Sequence, residues 1–277
     1  MPAKAKPTRR KNTSLRDPDA VDPRYIVPGL ARGLTLLQLF TQRKPAQTLA
    51  ELAAGLGLSR SAAYRLVYTL EKEDFIAREP NGRHYRLTAK VLGLGFDYLN
   101  ARAIPEMAAP VLRSLSDTTS AAAYVVTLDG WHAVYMARVV PAAALVSNLP
   151  VGARLPAHVT ASGRVLLACL DPERLRDVYK LIKRDCRVVA PPGSLEQLLV
   201  QAAQDKKRGY VYHRSLLNPG VVSCACPVRD KTGAATTAIT VIGPEQLMTA
   251  LGGEKAIKPR IIDAAMSISR KLGYVAR

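Results

Sequence analysis

The stretch that decides the fold is residues 47–87, which from Thr48 onward reads TLAELAAGLGLSRSAAYRLVYTLEKEDFIAREPNGRHYRL. It predicts a helix, a tight turn, a second helix and a β-hairpin. In the first helix, apolar residues recur at intervals of three and four positions, which places them on one face: Leu49, Leu52, Ala53 and Leu56. We expect Gly55 and Gly57 to form the corner, because only glycine takes a positive φ at little cost.

The second helix has one apolar and one polar face. Ser59 stands where an N-cap is expected, with a hydroxyl able to accept a hydrogen bond from a helix amide. The predicted buried residues are Ala63, Leu66, Val67 and Leu70. The opposite face carries two cations, a hydroxyl and two phenols without an acid: Arg60, Ser61, Tyr64, Arg65 and Tyr68. Such a face suits phosphates and base edges, so the pattern predicts a recognition helix.

A basic hairpin follows the second helix. Residues 75–78 and 83–87 are predicted strands, and the Asn81-Gly82 pair between them is a strong hairpin signal. A helix-turn-helix followed by such a hairpin indicates a winged DNA-binding domain. We expect Arg60, Ser61 and Tyr64 to lie nearest the bases. A second group is expected to hold phosphates: Arg65, Tyr68, Arg83 and Arg86.

The alternative is an ordinary amphipathic helix pair whose charged side is merely solvated. The acid-free face and the wing together favour DNA binding. Charge alone does not, although the net charge of +18 suggests an anionic partner. Residues 1–100 carry 17 basic and 9 acidic side chains, and residues 101–277 carry 23 and 13.

Length and composition bound the remaining possibilities. The 277 residues leave room for two domains. Residues 1–24 are basic and poor in large apolar side chains, which predicts a disordered tail. The four cysteines are too few and too irregular for a disulfide framework. With no secretory signal and no apolar run of membrane length, we expect a cytoplasmic protein with no membrane partner.

The rest of the chain alternates between helical and strand patterns. A first helix is predicted at residues 30–40 with a buried stripe of Leu30, Leu34, Leu37 and Phe40, and a linker helix at residues 88–101. Further helices are predicted at residues 105–118, 162–170, 171–183, 194–208 and 259–272. Strands are predicted at residues 122–128, 133–140, 144–149, 211–212, 221–228 and 235–242. This mixture indicates an α+β domain with an antiparallel sheet.

Several segments together resemble the IclR family of transcriptional regulators. They are GLARGLTLLQLF, LAELAAGLGLSRSAAYRLVYTLE, LPAHVTASGRVLLACL, RGYVYHR, PGVVSCACPVRD and AITVIGP, and the resemblance covers about residues 25–272. It implies a winged helix-turn-helix domain at residues 25–87, a linker helix at 88–102 and a GAF-like α+β effector-binding domain at 103–277. It also implies a homodimer or homotetramer that represses or activates catabolic genes in response to a small organic acid. The sequence GVVSCACPV is similar to the matching segment in the branch of the family that controls aromatic-acid catabolism.

The predicted effector-binding residues are those that match the family's pocket: Ala161, Ser162, His213, Ser223 and Thr240. The TASG loop at residues 160–163 enters a helix with small side chains, which lets a carboxylate approach free backbone amides. Ser223 and Thr240 are hydroxyl donors able to orient a carboxylate or a ring hydroxyl. The alternative is that these hydroxyls only cap a helix or bond to the backbone. Family members usually carry an acid in the segment matching residues 212–218, where this chain has none; His213 or Arg214 in its place would suit an anionic ligand.

Metal sites, cofactors and catalysis are not indicated. Cys224 and Cys226 form a single pair without the second pair that a structural zinc site needs, so we expect buried thiols. The four histidines show no ligand spacing, and Ser162 beside Arg164 has no evident acid–base partner. The alternative function is a small-molecule-binding enzyme or sensor that uses the helix-turn-helix for protein docking.

The sequence therefore predicts a ligand-responsive transcription factor. A homodimer would present two recognition helices to a palindromic, double-stranded operator. We expect the effector to reorient the domains through residues 88–101, which would change operator affinity or contact with RNA polymerase.

Overall fold

The computed structural model describes residues 23–41, 43–80, 82–100, 104–141, 149–185 and 192–275. The chain divides into two compact units, Met1–Asp97 and Tyr98–Arg277. The division falls within a helix that spans Lys90–Asn100. Four sequence predictions lie wholly or partly outside the described residues: residues 1–22 of the predicted tail, Asn81 in the hairpin turn, residues 101–102 at the end of the linker helix, and most of the strand at 144–149.

The first unit is a helix-turn-helix with a three-stranded sheet. Its elements are α1 (Pro28–Leu39), β1 (Ala46–Thr48), α2 (Leu49–Leu56), α3 (Arg60–Lys72), β2 (Ile76–Arg78), β3 (His84–Leu87) and α4 (Lys90–Asn100). The sheet order is β1-β3-β2, and both strand pairs are antiparallel. The predicted helices and hairpin are confirmed. β1 was not predicted; it pairs Gln47 with Tyr85 and so joins the wing to the start of α2.

Local side-chain chemistry sets where α2 and α3 begin. Thr48 accepts a hydrogen bond from the amide of Glu51, whose carboxylate accepts one from the amide of Thr48, and this reciprocal pair is a capping box. Ser59 accepts from the amide of Ala62 at 3.3 Å, which confirms the predicted N-cap of α3. Gly57, with φ of +63°, ends α2 in the left-handed conformation, as expected for the corner.

Gly55 has a different role from the one predicted. It lies inside α2 rather than in the corner. A Cβ atom at this position would come within 2.9 Å of Leu39 Cδ1, at the end of α1. Gly55 therefore lies against the side chain of Leu39 where two helices pack closely, and Gly57 alone takes the left-handed conformation of the corner.

The buried stripe predicted for α1 is partly wrong. Leu36 and Phe40 are buried in the core of the first unit, but Leu30 and Leu34 are 63% and 51% exposed. The segment is apolar on more than one face, so helical spacing alone does not tell which face the rest of the unit covers. α1 therefore presents an exposed apolar surface.

The second unit is an α+β domain, as predicted. Its elements are α5 (Ile104–Thr119), β4 (Ala122–Asp129), β5 (His132–Val139), β6 (Arg154–Pro156), α6 (Ala161–Leu167), α7 (Pro172–Arg184), α8 (Leu195–Arg208), β7 (Val211–Arg214), β8 (Val221–Val228), β9 (Thr237–Pro244), α9 (Glu245–Ala250) and α10 (Gly253–Lys271). One six-stranded sheet has the order β6-β5-β4-β9-β8-β7, with every neighbouring pair antiparallel.

Helices pack on both faces of this sheet, which is why its central strands are apolar on both sides. α5 and α10 pack on the face that carries Cys224, Cys226 and Ile239. α6 packs on the opposite face, against Ala225 and Ala238. The two thiols are buried as expected, and burial raises the pKa of Cys226 to about 12.

The last helix is longer than predicted. It begins at Gly253 rather than at residue 259, and Pro259 lies inside it. A proline usually marks a helix start or break, because it lacks an amide hydrogen and its ring crowds the preceding turn. The short elements β6 and α9 were not predicted either.

Candidate DNA interface and effector cavity

The predicted recognition face of α3 is exposed. Arg60, Ser61 and Arg65 are exposed, and Tyr64 and Tyr68 keep 45% and 49% of their surface. The two phenol rings lie 6.2 Å apart, and with Arg65 and Thr69 they line a shallow depression on the helix. Cations, hydroxyls and aromatic rings thus share one accessible surface, as a helix that reads a DNA groove requires.

The opposite face of α3 holds the helix in place. Ala63 and Val67 are fully buried, and Val67 packs with Leu36, Leu52 and Tyr85. Within the described part of the chain, neither Arg60 nor Arg65 forms an ion pair with an acid of the protein. Their charges therefore remain available for phosphate groups.

The wing presents basic side chains by strand alternation. Tyr85 is buried and its neighbour Arg86 is exposed, because successive residues of a strand point to opposite sides. Arg83 is exposed in the turn after Gly82, whose φ is +69°. Both arginines lie where a wing could contact a DNA backbone.

All five predicted effector residues line one cavity. Ala161 and Ser162 come from α6, and the others come from strands β7, β8 and β9: His213, Ser223 and Thr240. The cavity volume is about 30 Å³. That is room for one or two water molecules. Residues that sequence reasoning missed also line it, among them Tyr135 on β5 and the turn residues Ser215 and Asn218.

The TASG loop is built from small residues for a steric reason. Thr160 caps α6 by accepting a hydrogen bond from the amide of Gly163 at 3.1 Å. A Cβ atom on Gly163 would lie 2.2 Å from the backbone oxygen of Ala157, in the short 3-10 helix Ala157–Val159. Only glycine fits there, so the first turn of α6 packs against that short helix, with Ala161 and Ser162 at the cavity wall.

Two hydroxyl groups at the cavity donate hydrogen bonds to the protein backbone. Thr240 Oγ1 donates to the carbonyl of Cys224 at 3.0 Å, and Ser223 Oγ donates to that of His213 at 3.4 Å. In this structure both hydroxyls bond to the backbone, which is the alternative that the sequence left open for them. Their oxygen lone pairs can still accept a hydrogen bond, for example from a ring hydroxyl.

Tyr135 adds a phenol that the sequence did not single out. Burial raises the pKa of Tyr135 to about 12, against a smaller opposing effect of a hydrogen bond with Ser162. Its ring packs edge-on against Tyr124, with centroids 5.3 Å apart. A buried strand tyrosine resembles any core aromatic in sequence, and only its place at the cavity marks it.

His213 lies at the cavity wall, and Arg214 does not. Arg214 is exposed, and its Nε donates to Glu245 at 2.7 Å, so the sequence alternative of an arginine in the pocket is wrong. Burial lowers the pKa of His213, and the Arg164 guanidinium lowers it further, against smaller opposing effects of Asp205 and the Val159 carbonyl. His213 is thus neutral at pH 7.

His213 contacts a buried ion pair between Arg164 and Asp205, on the side of the imidazole that carries Nδ1. Arg164 Nε and Nη2 donate to the two carboxylate oxygens of Asp205 at 2.9 and 2.8 Å. The third nitrogen, Nη1, lies 3.3 Å from His213 Nδ1. An acid, Asp205 on α8, thus reaches the cavity residue His213 only through Arg164.

Among the described residues, no cluster of three or more histidine, cysteine or acidic side chains is arranged to hold a metal ion. No helix in the same residues has the length and apolar character to cross a membrane.

Comparison with known proteins identifies the family. The model of the IclR helix-turn-helix domain matches residues 29–80, and that of the bacterial transcriptional regulator IclR C-terminal domain matches residues 96–270. The chain is 32% identical to the Pca regulon regulatory protein of Pseudomonas putida, over 98% of this chain and 91% of that protein. It is 27% identical to the transcriptional repressor IclR of Escherichia coli strain K12, over 80% of this chain and 82% of that protein.

A solved structure shows the same fold. An IclR homologue from Microbacterium hydrocarbonoxydans, complexed with 4-hydroxybenzoate, matches with a TM-score of 0.75 at 23% identity, covering 88% of this chain and 98% of that one. The resemblance that the motifs carried is confirmed, and both of these relatives are named as regulators. This chain belongs to the IclR family of bacterial DNA-binding transcriptional regulators.

Proposed function

We propose that this regulator binds a small organic acid, of the aromatic class, in the cavity of its second unit, and that the acid controls its action on operator DNA. One observation carries the proposal: five residues from four separate elements, chosen because their motifs match the family's pocket, all line the same cavity. The solved homologue that contains 4-hydroxybenzoate supports an aromatic acid as the ligand class.

The chemistry of the cavity fits such a ligand. Apolar walls from Leu149, Leu155 and Ile242 suit a ring. The neutral imidazole of His213 and the protonated phenol of Tyr135 can donate to carboxylate oxygens. The hydroxyl oxygens of Ser223 and Thr240 can accept from a ring hydroxyl.

The size of the cavity supports regulation by conformational change. Its volume of about 30 Å³ is far below that of common small-molecule sites, roughly 300–1,000 Å³. An aromatic acid can therefore enter only if part of the wall moves. The turn at Ser215–Asn218 is a candidate, because inside it the Ser215 hydroxyl accepts from the amides of Leu217 and Asn218, and among the described residues only two backbone bonds to Val221 tie it to β8. A ligand that binds only the opened form shifts the population toward it.

The DNA side of the proposal rests on α3 and the wing. Arg60, Ser61 and Tyr64 would face the bases, and phosphate contacts would come from Arg65, Tyr68, Arg83 and Arg86. The exposed apolar surface of Val27, Leu30 and Leu34 suits a second copy of the chain, since monomers rarely expose contiguous apolar patches. A homodimer would then place two recognition helices on a palindromic operator in the cytoplasm.

A binding experiment tests both halves. Fluorescence anisotropy with the DNA upstream of the chain's own gene measures operator affinity with and without 4-hydroxybenzoate, and a thermal shift measures ligand binding directly. We expect 4-hydroxybenzoate to raise the melting temperature and to change operator affinity at least about threefold. Ser162→Val should lose the thermal shift while Ser267→Val, on α10 and outside the effector cavity, should keep it. Operator affinity that no aromatic or aliphatic acid alters would contradict the proposal.

A further inference from the structure

A chain of contacts leads from the interior of the second unit to the cavity. Asp205 on α8 is 1% exposed, and its carboxylate accepts hydrogen bonds from Arg164 on α6 and from Gln201 at 3.1 Å. The bidentate pair leaves one guanidinium nitrogen, Nη1, which lies 3.3 Å from Nδ1 of His213 on β7. Three elements thus meet through three side chains, and the last of these lines the cavity.

The direction of the last contact follows from the chemistry of arginine. A guanidinium carries only N–H donors and no acceptor, and it stays protonated in proteins. Nδ1 of His213 must therefore be the acceptor, which leaves no proton on that nitrogen. A neutral imidazole has one proton, so His213 carries it on Nε2.

The Nε2 donor has no protein partner of normal geometry. This nitrogen is buried and forms no hydrogen bond of normal geometry among the described residues, although the Val159 carbonyl lies close enough to the imidazole to raise its pKa. A buried donor without an acceptor is costly, and an acceptor brought by a ligand removes that cost. The hydroxyls of Thr240 and Ser223 differ from this donor, because they hydrogen-bond to backbone carbonyls at 3.0 and 3.4 Å.

We propose that Asp205 and Arg164 are positioning residues that hold His213 in the Nε2–H tautomer, so that the cavity selects effectors with an acceptor oxygen at His213 and rejects those with a donor there. The tautomer itself does not depend on the proposed function, whereas the selection rests on it. The preferred ligand group is a carboxylate or carbonyl oxygen, bound by a neutral N–H rather than by an imidazolium charge.

A purely structural role for the ion pair is the competing explanation, since the pair also ties α6 to α8. The double exchange Arg164→Glu with Asp205→Arg separates the two roles. It keeps an ion pair between the helices but places a carboxylate, an acceptor, behind Nδ1. A structural role predicts an unchanged imidazole, and a positioning role predicts that Nδ1 becomes protonated.

The test is a long-range ¹H–¹⁵N spectrum of the full chain with ¹⁵N-labelled histidine and no ligand. His213→Gln assigns the His213 signal among the four histidines. We expect the neutral Nε2–H tautomer in the wild type at pH 7, and either the Nδ1–H tautomer or the imidazolium in the exchange variant. If the exchange variant does not fold, Arg164→Met with Asp205→Asn is expected to give signals averaged between tautomers. A wild-type Nδ1–H tautomer, or identical signals in wild type and variants, would overturn the proposal.

Isothermal titration calorimetry tests the selection of ligands by measuring their affinities. The probes are 4-hydroxybenzoate and 4-hydroxybenzylamine, which exchange an acceptor group for a donor on the same ring. We expect the acid to bind the wild type at least about tenfold more tightly than the amine, and this preference to fall in the exchange variant. Equal binding of both probes would overturn the selection. If neither probe binds the wild type, the proposed aromatic-acid effector fails, and the ligand-free spectrum still decides the tautomer.

Discussion

Two arginines show how differently the two units use charge. Arg65 on α3 is exposed, with no protein acid paired to it in the described residues, while Arg164 on α6 is largely buried and makes a bidentate pair with Asp205. The first arrangement leaves a charge ready for a partner. In the second arrangement the charge is neutralised inside the protein by Asp205, and Arg164 contacts the cavity wall only through a hydrogen bond to His213. Substitution should therefore affect binding at the first arginine and folding at the second.

The largest expected effect comes from breaking the buried pair. Arg164→Ala leaves Asp205 buried without its counterion, and removing one partner of such a pair costs about 3–5 kcal/mol. Urea unfolding measures the loss. The control is Arg214→Ala, whose pair with Glu245 is exposed and is worth at most about 1 kcal/mol. Equal losses in both variants would remove the distinction between a buried and a surface arginine.

The next effect is steric and also confined to the second unit. Gly163→Ala brings a Cβ atom against the backbone of Ala157, and overpacking of this kind costs about 3 kcal/mol. The melting temperature, measured with and without ligand, reports the loss of stability. Gly93→Ala is the matched control, because a Cβ atom there meets nothing within 4 Å, and helix propensity should stabilise α4 by about 1 kcal/mol. A tolerated Gly163→Ala would show that the TASG glycine is not sterically required.

A smaller free-energy change is expected on the DNA face. Arg65→Ala should weaken operator binding about tenfold and lower the salt-dependence slope by about 1, because one phosphate contact is lost. The free energy of unfolding should stay within about 0.5 kcal/mol of the wild type, since the side chain is exposed. Arg176→Ala, an exposed arginine on α7, is the control and should leave operator affinity unchanged. If both variants bind alike, α3 is not the recognition helix.

The smallest effect is a dependence of stability on pH. The pKa of His213 is lowered in the folded state, first by burial and then by Arg164, from an ordinary value of 6.5. Below pH 6.5 the unfolded chain therefore binds more protons than the folded one, so stability is complete above that pH and falls as the pH drops toward the lowered value. His213→Gln should reduce this loss, with the remainder coming from His132, whose pKa burial also lowers. Urea unfolding at pH 7.5 and at about pH 5.5 measures it; an unchanged pH dependence in the variant would contradict a neutral, half-buried His213.

Much of the DNA-binding unit could be predicted because its signals are local. Ser59 caps α3 from three residues away, Gly57 turns the chain by its own φ, and the hairpin follows from a few neighbouring residues. The five cavity residues were found differently, through the likeness of whole motifs to a known family. Without that likeness, Ser223 and Thr240 would have counted as ordinary strand hydroxyls. Their hydroxyl groups do donate hydrogen bonds to backbone carbonyls, as ordinary strand hydroxyls do.

The sequence by itself determined the main helices and the hairpin of the first unit and which face of α3 is exposed, because hydrogen bonds within a few residues and helical spacing decide both. Only the tertiary structure decided which leucines of α1 are covered, since Leu30 and Leu36 are equally apolar in sequence. It also decided that Gly55 packs against Leu39. Above all it brought Asp205 to Arg164, 41 positions away, and Arg164 to His213, a further long-range contact that no periodic pattern records. Such contacts depend on how distant elements pack, and that packing sets the proton on the histidine at the cavity wall.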